Sequence, residues 1–171
     1  MAAFSDDPSE FQRLDWELLQ NGAVTLYFQR RTLDGDVAWL RAHGYRVEEF
    51  DCACWADEQD MHRALAQSLS FPDHYGMNLN AMNDSIAQVD VPAEGGLALV
   101  FLRFDELASE DRRTAQAVLD ILADNARRFL LFGRRLLVLA QSDDPGIAFQ
   151  PVGATPVLWN RNEWLDKSRG V

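Results

Sequence analysis

Apolar positions along this chain fall into two rhythms, one suited to buried strands and one to helices. After the Asn21-Gly22 turn signal, Ala23 to Phe28 (Ala-Val-Thr-Leu-Tyr-Phe) is rich in β-formers and predicts a strand. A short helix is expected from about Asp34 to His43, stopped by Gly44 at the C′ position. Tyr45 to Asp51 alternates imperfectly and predicts a second strand. Asp57 can cap the next helix, with Asp60 where a capping box places an acid. Its stripe is Met61, Ala64, Leu65 and Leu69, and Pro72 closes it. A polar loop, Pro72 to Gly76, leads into another amphipathic segment. There Leu79, Met82, Ile86 and Val89 step along one face, and Asn80, Asn83, Asp84 and Ala87 along the opposite one.

Leu97 to Leu102 is an unbroken apolar run, as expected of a strand covered on both faces. Ser109 is the expected start of the longest helix, with Glu110 and Asp111 in its first turn and Arg127 and Arg128 near its end, both signs favoured by the helix dipole. Ala115, Val118, Leu119, Leu122, Ala126 and Phe129 form its core stripe. After Gly133, Leu136 to Ala140 is another buried strand. Val157-Leu158-Trp159 offers an edge strand, and Glu163 to Lys167 a helical turn. This order predicts an α/β fold: a small, mainly parallel sheet of three core strands with one or two added, joined by right-handed crossovers and covered by helices.

Composition narrows the chemistry. A chain of 171 residues, 47% hydrophobic, suits one compact domain with decorated ends and needs no metal or disulfide to build a core. The formal net charge of −11 repels phosphate backbones, so direct nucleic-acid binding is not expected. An acidic surface suits a partner with a positive cleft, or serves solubility alone. Cys52 and Cys54 are the only cysteines; on a continuing strand they would share a face, too close along the backbone for an ordinary disulfide. No histidine stands at zinc-site spacing from them, so reduced structural thiols are expected, with no metal and no cofactor. The opening residues lack the basic and apolar regions of a signal peptide, and no apolar run reaches membrane-spanning length, which points to the cytoplasm.

Catalytic motifs are missing. The sequence holds no phosphate-binding glycine loop, no G-x-S-x-G elbow and no H-E-x-x-H among His43, His62 and His74. Asp105-Glu106 follows the end of a strand, where open α/β sheets often bind ligands, but solvated loop acids feeding the next helix read more simply. His74 beside Asp73 would be the first suspects for an enzyme. No catalytic residue is assigned.

The informative stretch is Phe71-Pro72-Asp73-His74-Tyr75-Gly76-Met77-Asn78-Leu79-Asn80-Ala81-Met82-Asn83-Asp84. By itself it is a well-made start to a helix: Pro stops one helix, Gly permits the turn, and Asn78 caps the next. It also resembles the hallmark segment of the barstar family, which runs roughly Leu/Phe-Pro-x-x-Tyr/Phe-Gly-x-Asn-x-x-Ala-Leu-x-Asp. Pro72, Tyr75, Gly76, Asn78, Ala81 and Asp84 match at the right intervals. The resemblance implies a barstar-like domain over 45–141, an N-terminal extension over 1–44 whose strand and helix pack on the core, and a C-terminal extension over 142–171.

It further implies a protein-binding inhibitor that plugs the basic cleft of a ribonuclease or related toxin, its carboxylates standing in for RNA phosphates. Carried over by position, His74 takes the place of an aromatic contact, and Tyr75 and Gly76 shape the loop. Asp84 aligns with the family's central inhibitory aspartate. Asn80 stands where another inhibitory acid is usual, Asn83 replaces a tryptophan, and Gln116 lies near the position where the family has a further contact acid. With that acid and that aromatic changed, the same fold serving a different, non-ribonuclease partner is the alternative.

Overall fold

Alternate side chains of a strand point to opposite faces, so a strand that is apolar throughout needs cover on both sides. A computed structural model of the chain describes residues 3–4, 7, 11–164 and 167–169, and it supplies that cover. Val24–Tyr27 (β1), Tyr45–Asp51 (β2), Gly96–Leu102 (β3), Leu136–Gln141 (β4) and Leu158–Trp159 (β5) form one parallel sheet of order β2-β3-β4-β1-β5. Leu97, Leu99 and Phe101 of β3 pack with Leu136, Val138 and Ala140 of β4 under one helical layer. The intervening Ala98, Val100, Leu137 and Leu139 face the other layer.

Leu14–Gln20 (α1) and Arg30–Ala42 (α2) cover that second face through Leu18, Leu33, Val37 and Leu40. Glu58–Leu69 (α3), Leu79–Ile86 (α4), Phe104–Glu110 (α5) and Arg112–Leu131 (α6) cover the first. The β1–β2 connection thus lies on one face, and those joining β2, β3 and β4 on the other. Right-handed crossovers require this when the chain reverses direction across a parallel sheet. Among the described residues no helix is long and apolar enough to cross a membrane.

Local expectation and fold differ at four places. The helix expected from Asp34 begins at Arg30, because the buried Glu163 carboxylate accepts hydrogen bonds from the Phe28 and Gln29 amides (2.5 and 2.8 Å). That cap arrives from the far end of the chain. The long helix does not start at Ser109. Asp111 is extended (φ −141°, ψ 98°) and its carboxylate caps Arg113 and Thr114, ending α5 and starting α6. The Ser109 hydroxyl donates to the Glu106 carbonyl, and Asp105 and Glu106 occupy the first turn of α5 instead of a loop. At the cysteines the strand gives way to a 3-10 turn, Cys52–Cys54, which buries Cys52 and exposes Cys54; both thiols are free. The turn expected over Glu163 to Lys167 is seen as 3-10 turns at Arg161–Glu163 and Lys167–Arg169, residues 165 and 166 lying outside the described residues.

The segments before and after residues 45–141 are both fastened to the sheet. Asp15 on α1 is fully buried and accepts from Tyr45 Oη (2.7 Å), Arg13 and Arg135. Burial pushes its carboxyl up, but the hydrogen bonds from Arg13 and Tyr45 and the two guanidinium charges outweigh that and hold it below the usual range. At the other end, Asn160 Nδ2 and Tyr27 Oη both donate to Asp36 Oδ2 (2.9 and 2.7 Å). β5 completes the sheet beside β1.

Candidate protein-binding site

The loop between α3 and α4 is built by local capping at both ends. Asp57 accepts from the Asp60 amide (2.9 Å), and Asp60 reaches back to the Ala56 amide (2.8 Å). The helix closes at Ser70 in left-handed conformation (φ 55°). A turn follows in which the Tyr75 amide donates to the Pro72 carbonyl (2.8 Å). Asn78 then serves twice: its Oδ1 caps α4 at the Ala81 amide and its Nδ2 holds the Gly76 carbonyl, both at 2.9 Å. This folding-back explains Gly76. A Cβ there would lie 3.1 Å from Asn78 Nδ2 and 3.3 Å from Ala81 Cβ, tighter than ordinary contact.

Tyr75 turns inward. Its ring meets Phe71 and His62 edge-on, with centroids 4.9 and 5.7 Å apart. Its hydroxyl lies 2.5 Å from Nδ1 of the fully buried His62, whose Nε2 is 3.2 Å from Glu58 Oε1. Burial and the Glu58 charge push the phenol up to about 12. The Glu58 carboxylate can only accept, so His62 Nε2–H donates to it, and in the neutral ring Nδ1 then accepts from the phenol. His62 showed in the sequence only as a lone histidine; its neighbour Met61 in the core stripe was the one hint of burial.

On α4, Met82, Ser85 and Ile86 are buried, while Asn80 and Asp84, with the C-capping Ala87, are exposed. His74 and Asp73 are exposed on the loop. The outward side thus carries His74, Asn80 and Asp84, the last two one helical turn apart. Asn83 is half-buried and turned toward α6, its Oδ1 accepting from Asn125 Nδ2 (2.9 Å). Asn125 was not singled out by the sequence, since a polar residue beside a core stripe gives no sign of its partner. Gln116 stands apart. Its side-chain amide pairs in both directions with the Gln150 backbone (3.2 and 3.0 Å), fastening the C-terminal segment to α6. Nine residues separate it from Asn125, about 13 Å along a helix axis.

Two depressions lie where α4 meets α6. One, about 330 Å³, is lined by Asn83, Asp124, Arg127, Arg128 and Leu131. The other, about 120 Å³, is lined by Ala87, Asn125, Arg128, Phe129 and Phe132. No group of three or more His, Cys, Asp or Glu suited to a metal ion occurs among the described residues.

No curated protein matches the chain. Among solved structures it is similar to a chain described as "Structure of Drosophila ORC bound to AT-rich DNA and Cdc6", at 18% identity and a TM-score of 0.50. The likeness covers 95% of this chain and 59% of that one, so this chain spans about three fifths of that length, and at such identity the likeness is one of fold. A family model described as "Barstar (barnase inhibitor)" matches residues 45–141, which include β2, the loop, α4, α6 and β4. Since that match takes in more than half of the sequence, the chain belongs to the barstar family.

Proposed function

We propose that this chain is a non-catalytic, cytoplasmic inhibitor of a ribonuclease or related toxin, entering the enzyme's basic cleft with the loop at Pro72–Asn78 and the outer side of α4. The observation that carries the reading is Asp84, which stands exposed on a helix anchored by Met82 and Ile86 and which the motif resemblance aligns with the family's inhibitory aspartate. A rigid helix holds such a carboxylate ready, so little ordering entropy is lost on binding. The net charge of −11 favours encounter with a cationic cleft. His74, Gly76, Asn80 and Asn83 frame the contact, and Tyr75 holds the loop from within.

The test is calorimetric titration against purified barnase and against candidate ribonucleases or toxins. Asp84→Ala is expected to cost about 2 kcal/mol or more, the level of an interfacial hot spot, which is roughly thirtyfold in affinity. The melting temperature should stay unchanged, because the side chain is exposed. Equal binding by both proteins removes Asp84 as the anchor.

A second reading is the same fold used on a non-ribonuclease partner. It is favoured by Asn80, which carries no charge, and by Asn83, which is occupied by Asn125 instead of facing outward as an anchor.

A further inference from the structure

The end of α6 breaks the pattern of the molecule around it. Leu131 and Phe132 are 74% and 75% exposed, the highest values among the exposed large apolar residues of the described chain. Beside them Arg127 and Arg128 are exposed and make no ion pair among the described residues, although the protein carries eleven more acidic than basic side chains. Helix-end cations complement the dipole, but that accounts for neither of the two exposed apolar side chains.

An unsatisfied atom lies at the same place. Asn125 is 1% exposed and lines the smaller depression with Arg128, Phe129 and Phe132. Its Nδ2 donates to Asn83 Oδ1 and to the Ile121 carbonyl, both at 2.9 Å. The Ile121 carbonyl can only accept, so the amide cannot be turned over without setting oxygen against oxygen. Its Oδ1, with less than 1 Å² of accessible surface, is therefore a buried acceptor with no hydrogen-bond partner among the described residues. A buried acceptor left unpaired carries a standing cost that an incoming donor relieves. At about 120 Å³ the depression is far below the roughly 300 Å³ at which small-molecule pockets begin. It has room for one side chain.

We infer that the C-terminal turn of α6 is a docking ledge for a protein segment that presents an aromatic ring bearing a hydrogen-bond donor, flanked by carboxylates. The ring packs on Phe132 and Phe129 and parts them far enough for its hydroxyl to reach Asn125 Oδ1, which they otherwise close off, and the flanking acids meet Arg127 and Arg128. Asn83 lines the adjoining depression, so the ledge continues the α4 face and adds an acid-seeking half to it. It needs no acidic mimicry at Asp84 and stands independently of the inhibitor reading.

The probes are three capped tripeptides, Glu-Tyr-Glu, Glu-Phe-Glu and Lys-Tyr-Lys, titrated into the ¹⁵N-labelled full chain and followed by NMR. Glu-Tyr-Glu is expected to shift the Asn125 side-chain amide and the Arg128 and Phe132 backbone signals in a saturable way. Glu-Phe-Glu should bind at least fivefold more weakly and Lys-Tyr-Lys at least tenfold. Phe132→Ser with Arg128→Ser, both exposed and outside the core, should abolish the shifts while the melting temperature holds. Asp84→Ala should leave them intact, so this inference and the inhibitor reading fail separately. Shifts absent from the ledge, equal affinity for the three peptides, or binding undisturbed by the double variant would each overturn it.

Discussion

At the scale of single residues, the family motif divides into side chains that hold the loop and side chains that meet solvent. Tyr75 belongs to the first group. Removing its hydroxyl leaves His62 Nδ1 an unpaired acceptor inside the core, because His62 is fully buried and its other nitrogen is occupied by Glu58. Tyr75→Phe is therefore expected to destabilise the fold by about 1–3 kcal/mol, the usual cost of a buried polar group without its partner. Urea unfolding measures this directly, and an unchanged midpoint would contradict the assignment. Any loss of partner binding should then track the loss of loop order. Asp84→Ala, by contrast, should act on binding alone. Sequence spacing placed both residues in one motif and set Asp84 opposite the apolar stripe, whereas the inward turn of Tyr75 came from its contacts with Phe71 and His62.

At the scale of elements, helix ends explain what local sequence could and could not tell. The starts of α3 and α4 were legible because Asp57 and Asn78 cap amides only three residues away. The apolar runs of β3 and β4 were legible because burial on both faces leaves an unbroken hydrophobic stretch. The start of α2 was not, since its cap is Glu163, more than 130 residues distant. Nor was the break at Asp111, where a short helix ahead of the long one continues the same amphipathic appearance. The candidate site shows the same limit. Its loop and α4 could be read from the motif, whereas Asn83 meeting Asn125 and Gln116 holding Gln150 depend on how α6 lies against its neighbours. The distant cap carries its own prediction. Glu163→Ala removes the acceptors for the two half-buried amides that lead into α2, and stability should fall by about 1 kcal/mol, the low end of the cost of a group left unpaired. Amide exchange should quicken first in the opening turn of α2. Uniform protection across α2 in the variant would mean the carboxylate contributes nothing there.

At the scale of the whole molecule, the segment matched to the family model is not the whole of the sheet. Residues 45–141 hold β2, β3 and β4, while β1 comes from the residues before them and β5 from those after. β1 lies between β4 and β5 and pairs with both, so β4 is an interior strand only while β1 is present. Without β1, Leu136 to Ala140 would present an apolar, unpaired edge, the template on which strands of other molecules add. Leu137 and Leu139 would also lose the cover given by α2, since they belong to the same cluster as Leu33, Val37 and Leu40. A fragment of residues 45–141 is accordingly expected to self-associate, whereas the full chain should remain monodisperse at the same concentration in sedimentation. Supplying residues 1–44 and 142–171 together should restore cooperative unfolding, because the Glu163 cap, the Asp36–Asn160 contact and the Asp15–Arg135 pair each join one of these segments to another or to the sheet. A monomeric, cooperatively folding 45–141 fragment would show instead that the flanking segments decorate a core complete without them.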